Sequence, residues 1–257
     1  EEAMVAGAHS RLDYLGAFSW LQTSNALPND EHHMAAAAAN LGWHLNANTQ
    51  LRGTAHYNVA ATGLPNAWDF YHVADQGTQK DQDIYVSASI DNQTTAKFHN
   101  VVRYGLTRKR EQSALWQMNG CGAFDAYGDS LGCLVTIHGA NGASATGQAV
   151  LDYAQNYPYQ NQLVSNRDQL VYHGDFQFTP HLAGLIGFQY EDERGAEVVP
   201  SYSVSETTER SNYDYIAAVH GDFKNRFYYT LGGSLEHYSL FGVETTPRAG
   251  FTWYVLR

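Results

Sequence analysis

The 257-residue chain is poor in charge, proline and cysteine, with 6 Pro and 2 Cys. Asp, Glu, Lys and Arg make up only 16% of it, against roughly 25% in ordinary soluble domains, and just four residues are lysine. A surface turned wholly to water carries more charge than this. Long apolar runs are missing too. The longest aliphatic stretch is Met34 to Ala39, far below the ~20 residues of a spanning helix, so membrane contact, if any, comes through strands. With 15 Lys plus Arg against 26 Asp plus Glu, a net charge of −11 and Arg108-Lys109-Arg110 as the single basic run, the chain lacks the basic face that neutralises phosphates, and a nucleic-acid partner is excluded. The start, Glu1-Glu2-Ala3-Met4, has no basic segment followed by an apolar core. It reads as a mature terminus or an internal piece rather than a signal peptide.

What is abundant is aromatic and glycine: 18 Tyr, 11 Phe, 5 Trp and 23 Gly. Aromatics at this density need a surface to cover, which excludes a disordered chain. Apolar residues alternate with period 2, the signature of strands. Tyr213, Tyr215, Ala217, Val219, Gly221 and Phe223 share one face, while Asp214, Ile216, Ala218, His220 and Asp222 share the other. After the tight turn Lys224-Asn225-Arg226 the pattern resumes with Phe227, Tyr229, Leu231, Gly233 and Leu235. The same arrangement appears at Leu170 to Phe178 and Leu182 to Tyr190, at Ile84 to Ile90 and Phe98 to Leu106, and at Leu41 to Leu45 and Leu51 to Val59. Further strands surround Tyr14 to Trp20 and Phe251 to Val255.

Connections near 10–13, 46–50, 92–96, 179–181 and 224–226 are short, and those near 22–35, 61–83, 108–168, 192–212 and 239–246 are longer. Short and long alternate, which predicts an all-β, antiparallel up-and-down sheet of the transmembrane β-barrel kind, with tight turns at one end and loops at the other. The apolar faces carry no Asp, Glu, Lys or Arg, while Arg52, Arg103, Asp175, Glu191, Asp214, Asp222 and Glu236 lie opposite. A soluble sandwich gives the same bare alternation. The aromatics separate the two readings. Trp43, Phe98, Phe178, Phe223 and Phe227 mark the short-turn end, and Trp20, Tyr57, Tyr104, Tyr172, Tyr190 and Tyr213 the long-loop end, the placement of two interfacial girdles around spans of about 9–11 residues.

Stretches 62–71 (TGLPNAWDFY), 79–88 (QKDQDIYVSA) and 91–100 (DNQTTAKFHN), with 145–153, 187–193 and 246–251, resemble the barrel of TonB-dependent outer-membrane receptors, and most nearly the vitamin B12 (cobalamin) receptor-like branch. The likeness spans nearly all of residues 1–257 and contains no catalytic motif. It implies a 22-stranded barrel filled by an N-terminal plug, of which this chain, with about eleven strands and neither plug nor TonB box, resembles half. It also implies a Gram-negative outer-membrane location, outer-membrane lipid as a partner, coupling to TonB through a plug absent from this chain, and uptake of a large scarce nutrient of the cobalamin or siderophore class.

Candidate site residues lie in the long connections. Trp68, Phe70, Tyr71, Trp116 and Tyr127, with Tyr157 and Tyr159, present flat rings suited to the faces of a corrinoid, siderophore or sugar. Cys121 and Cys133 sit in a polar, Gly-rich stretch and read more readily as a disulfide than as half a zinc site, with two free thiols as the alternative. Asp30-Glu31-His32-His33 offers metal-binding atoms but no second ligand pair, so no metal is expected there. Glu191-Asp192-Glu193 is a calcium candidate in an outer loop that lacks the usual oxygen-ligand spacing. His44, His56, His99, His173 and His220 fall on the polar faces, as wall residues facing water or as a proton or metal path. No enzyme is expected, because Ser87 and Ser234 have no motif placing a base beside them. A self-contained outer-membrane channel or lipase-type barrel, and a soluble β-rich binding module, are the rival functions.

Overall fold

The computed structural model describes residues 1–64, 77–115, 126–127, 133–138, 141–149 and 159–255. Eleven strands form one antiparallel sheet. They are β1 (Glu2–His9), β2 (Leu12–Ser24), β3 (Glu31–Asn46), β4 (Thr49–Leu64), β5 (Gly77–Thr95), β6 (Phe98–Leu115), β9 (Tyr159–Thr179), β10 (Leu182–Val199), β11 (Val204–Phe223), β12 (Phe227–Tyr238) and β13 (Gly242–Trp253). A separate hairpin of β7 (Cys133–His138) and β8 (Ser144–Ala149) lies between β6 and β9. Spatial order follows chain order, with β6 pairing directly to β9. This is the up-and-down arrangement that the alternation predicts, with the expected number of strands.

No second layer covers the sheet among the described residues: each main strand packs on its sheet neighbours and β9 and β11 also touch the 3-10 turn Pro200–Tyr202. The chain exposes 17151 Å², whereas a compact protein of its mass exposes about 11,000 Å². Among the described residues the buried apolar ones are only Ala114 and Val199. The large apolar side chains are instead displayed. Phe18, Trp43, Ile90, Phe178, Phe223, Leu231 and Trp253 are all exposed.

The register converts the alternation into continuous faces. Across one row Tyr104, Leu170, Tyr190 and Tyr213 are successive partners, and at the turn end Phe223, Phe227 and Trp253 are. Phe98 stacks on Phe176 with ring centroids 4.2 Å apart, and Tyr190 meets Tyr213 at 4.9 Å. Such cross-strand pairs stabilise a sheet that has no core. Tyr172 sits one row nearer the turns, opposite Val102 and Phe188, so Leu170 takes the girdle row on β9.

Strands outrun the apolar pattern at one end. The β10–β11 pair continues to Val199 and Val204, joined through Pro200–Ser203, and β13 begins at Gly242 after a turn at 239–241. The connections read from sequence at 192–212 and 239–246 are therefore mostly ladder, and likewise β4 reaches Leu64, β5 begins at Gly77, β6 reaches Leu115 and β9 begins at Tyr159. The cause is physical: beyond the apolar band neither face needs hydrocarbon character, so the period-2 signal fades while backbone pairing continues. β9, at 21 residues, extends for roughly 70 Å, about twice what a tilted wall requires.

Turn-end geometry follows residue type. Lys224 and Asn225 both take positive φ, 54° and 53°, as a tight hairpin matched to sheet twist demands, and Asp222 Oδ2 accepts the Asn225 amide at 2.9 Å. On the polar face Arg52 of β4 reaches over β3 to Asp13 of β2 at 3.0 Å and also donates to Asn40 at 2.6 Å. Gly42, register partner of both Asp13 and Arg52, leaves the room. A Cβ there would stand 2.2 Å from Asp13 Oδ2 and 2.6 Å from Arg52 Nη2. Gly42→Ala is expected to displace this bridge at a cost of up to about 1 kcal/mol, and to cost clearly less in an Asp13→Ala background, as read by a double-mutant cycle on chemical unfolding.

Candidate functional site

The polar face curves into a groove of about 780 Å³ whose walls come from β4, β5, β6, β9, β10 and β11. Because it draws on six consecutive strands, the sheet is concave on this side. The polar residues along it are Asn58, Asp81, Asp83, Lys109, Glu111, Ser165, Glu197, Glu206 and Thr208, together with Arg110, whose place in the strand alternation turns its side chain to the opposite face. Two register rows supply them: Asn58, Asp83, Lys109 and Ser165 align in one, and Ala60, Asp81, Glu111 and Leu163 in the next. Lys109 Nζ stands 3.9 Å from Asp83 Oδ1, leaving the groove acidic. Sequence reading passed over these carboxylates, although they continue the parity of Tyr85 and Ser87, opposite to Ile84 and Val86.

Toward the turns the polar face is crossed by ion pairs. Arg167 holds Glu191 and lies 3.5 Å from Glu193, which also pairs with Arg210. Lower still, His99 bonds Asp91 at 2.9 Å and approaches Asp175 at 3.6 Å, and His173 bonds Asp175 at 2.9 Å. His181, beside a turn, bonds Asp222 at 2.9 Å. His44, His56 and His220 join no hydrogen-bonded chain with these among the described residues. Asp91, His99, Asp175 and His173 thus form one local cluster, and His181 with Asp222 a separate pair.

Strand alternation also separates the side chains of the two metal candidates. In Glu31-His32-His33 successive side chains face opposite sides, and His32 Nδ1 pairs with Thr62 Oγ1 at 2.8 Å. Glu191 and Glu193 face the groove side while Asp192 faces outward, 2.6 Å from Arg194 Nη2, and all three carboxylates are held by arginines. Among the described residues no group of three His, Cys, Asp or Glu could hold a metal ion. Ser87 Oγ bonds Thr54 Oγ1 at 2.7 Å and Ser234 Oγ donates to Glu236 at 2.9 Å. Neither serine has a histidine as its partner.

Trp68, Phe70, Tyr71, Trp116, Tyr157 and Cys121 lie outside the described residues, as do the side chains of Tyr159 and Cys133. Cys133 opens β7, opposite Ala149. Tyr127 is 92% exposed at a turn, the presentation a ligand-contacting ring needs. The base of the outer connections is tied together by Asn29, whose Nδ2 donates to the carbonyls of Leu64 at 3.0 Å and Gly77 at 2.7 Å.

On the apolar side, bands run from Phe98 to Leu106 on β6, from Leu170 to Phe178 on β9, and from Leu182 to Tyr190 on β10. Just beyond them stand outward-facing charges. Arg108 donates twice to Asp168, at 2.9 and 2.8 Å, and Tyr104 Oη donates to the same carboxylate. The Arg108 hydrogen bonds, aided by Tyr104, hold the Asp168 carboxyl below its ordinary range.

No family model and no curated protein matches this chain. Solved structures do. The chain is similar to the RagAB peptide importer in its open-open state (8% identity, TM-score 0.65, covering 97% of this chain and 33% of that one). It is similar to the outer-membrane transporter YddB from Escherichia coli (9% identity, TM-score 0.62, 99% and 36%). It is also similar to the ferric enterobactin receptor PfeA from Pseudomonas aeruginosa, in a mutant form (9% identity, TM-score 0.55, 100% and 39%). These likenesses establish the fold, part of the wall of a β-barrel, and the chain spans only 33–39% of each of those proteins.

Because Asp168 titrates lower when folded, its stabilisation is full above the unfolded carboxylate value of 3.8 and is lost as pH falls through the depressed folded value. Asp168→Asn is therefore expected to cost about 1 kcal/mol at neutral pH, with the difference from wild type vanishing in strong acid, as read by thermal unfolding across pH.

Proposed function

We propose that this chain forms part of the wall of a TonB-dependent outer-membrane receptor, with its apolar face in lipid and its groove facing the transport lumen. One observation carries the reading. A single-layer sheet displays its largest apolar side chains between two aromatic rows and keeps its ionic groups on the other face or beyond the band. Water would penalise that display, and lipid rewards it. The edges of β1 and β13 have no strand partner among the described residues, and hydrocarbon cannot satisfy their backbone groups, so in the working protein further strands pair with both. A soluble module accounts for neither the missing layer nor the likeness to transporter barrels.

The cargo we assign is a large scarce nutrient captured by outer connections and groove together, with Trp68, Phe70, Tyr71, Trp116 and Tyr127 as aromatic contacts and a Cys121–Cys133 bridge bracing the longest connection. TonB acts through a plug seated in the lumen. Of the cobalamin and siderophore classes, the acidic groove favours the former, because a ferric siderophore complex with net negative charge meets Asp81, Asp83, Glu111, Glu197 and Glu206 against Lys109.

Two measurements test this. Ala88 and Ser87 lie on opposite faces of β5 at one depth. Ala88→Arg should cost about 2–4 kcal/mol in a vesicle-folding assay, while Ser87→Arg should be tolerated, and equal costs would remove the lipid-facing assignment. In equilibrium titrations, the full chain should bind cobalamin more tightly than an anionic ferric siderophore, with Tyr127→Ala weakening binding several-fold. The reverse order would overturn the cargo assignment and leave the wall assignment intact.

A further inference from the structure

Above the apolar band, outward arginines are matched to carboxylates: Arg108 to Asp168 and Arg194 to Asp192. The hairpin of β5 and β6 departs from this rule. Its outward positions beyond the band are Lys80 and Gln82 on β5, and Arg110 and Gln112 on β6, with Lys80 opposite Gln112 and Gln82 opposite Arg110. Lys80 and Arg110 are exposed. Neither makes a hydrogen bond or ion pair with any described residue. They are diagonal neighbours on one face, about 7–8 Å apart by sheet geometry, so each repels the other. Arg108 lies directly below, already neutralised, and the outward face of β4, from Tyr57 through Val59 and Ala61 to Gly63, adds no carboxylate.

Position makes this pair more than a solvated surface. Tyr57 Oη accepts from Gln82 Nε2 at 3.1 Å, so the patch begins where the aromatic girdle ends. We infer that Lys80 and Arg110, flanked by the Gln82 and Gln112 amides, bind the phosphate of a lipid headgroup in the leaflet on the long-connection side. The inference rests on the lipid-facing assignment of this wall. A phosphate monoester fits the spacing: one anion between two cations removes their repulsion and accepts hydrogen bonds from both, and the acyl chains fall beside Tyr57, Ile84 and Tyr104.

The test uses the full chain, folded into phosphatidylcholine vesicles or into the same vesicles doped with phosphatidic acid, with enrichment of the labelled acidic lipid at the protein read by fluorescence quenching. Wild type should enrich phosphatidic acid, and the double variant Lys80→Gln with Arg110→Gln should lose roughly tenfold or more of that preference. The charge-keeping pair Lys80→Arg with Arg110→Lys should retain it, and Lys109→Gln, on the groove face of the same hairpin, should leave it unchanged. No enrichment by wild type, or equal enrichment by wild type and the double Gln variant, would overturn the site. Displacement of the lipid by inorganic phosphate alone at matching concentration would overturn the lipid as its source. Failure to insert into either vesicle would instead sink the wall assignment beneath it.

Discussion

Everything in this molecule depends on a backbone ladder that has to hold without a core. Main-chain hydrogen bonds join eleven strands side by side, and each is worth only about 1 kcal/mol net in water, where unpaired groups find other partners. In hydrocarbon the alternative is an unsatisfied amide costing several kcal/mol, so the same ladder becomes close to obligatory. The environment of the apolar face is thus a condition of stability as much as of location. It explains how a sheet with two buried apolar residues among those described keeps strands of up to 21 residues, and why its side-chain interactions include cross-strand pairs such as Phe98 with Phe176.

How much was legible in the sequence follows from that constraint. Inside the band every outward side chain has to be apolar, so Tyr213 to Phe223 and Leu182 to Tyr190 announce themselves, and with them the strand count and the faces. Outside the band the constraint lifts. Gly195, Ala196, Glu197 and Val198 carry no alternation, yet they are ladder residues paired to 205–208. The hairpin Cys133–His138 with Ser144–Ala149 is likewise joined by local backbone pairing. Asn29, whose positive φ of 58° and two hydrogen bonds lock the outer rim, has no periodic signature, since its partners are carbonyls that any residue provides.

The candidate site was harder still, because a groove is a property of rows and a sequence is read along strands. Asp83 and Lys109 become neighbours only through the β5–β6 register, and both meet Ser165 only because β9 follows β6 in space. The pleat likewise separates the adjacent carboxylates Glu191-Asp192-Glu193, sending the middle one outward to Arg194 and the other two inward to Arg167 and Arg210.

The β5–β6 hairpin shows what the pleat does to charge. Read linearly, Gln79-Lys80-Asp81-Gln82-Asp83 and Arg108-Lys109-Arg110-Glu111 are mixed polar runs of little character. Folded, Asp81, Asp83, Lys109 and Glu111 turn to the groove, while Lys80, Arg108 and Arg110 turn outward. One hairpin therefore presents a net negative surface to the groove and a net positive one to the opposite face. A run whose charges nearly cancel along the chain becomes a dipole across the wall. The two sets of charges are kept on opposite faces by nothing more than the period of a strand.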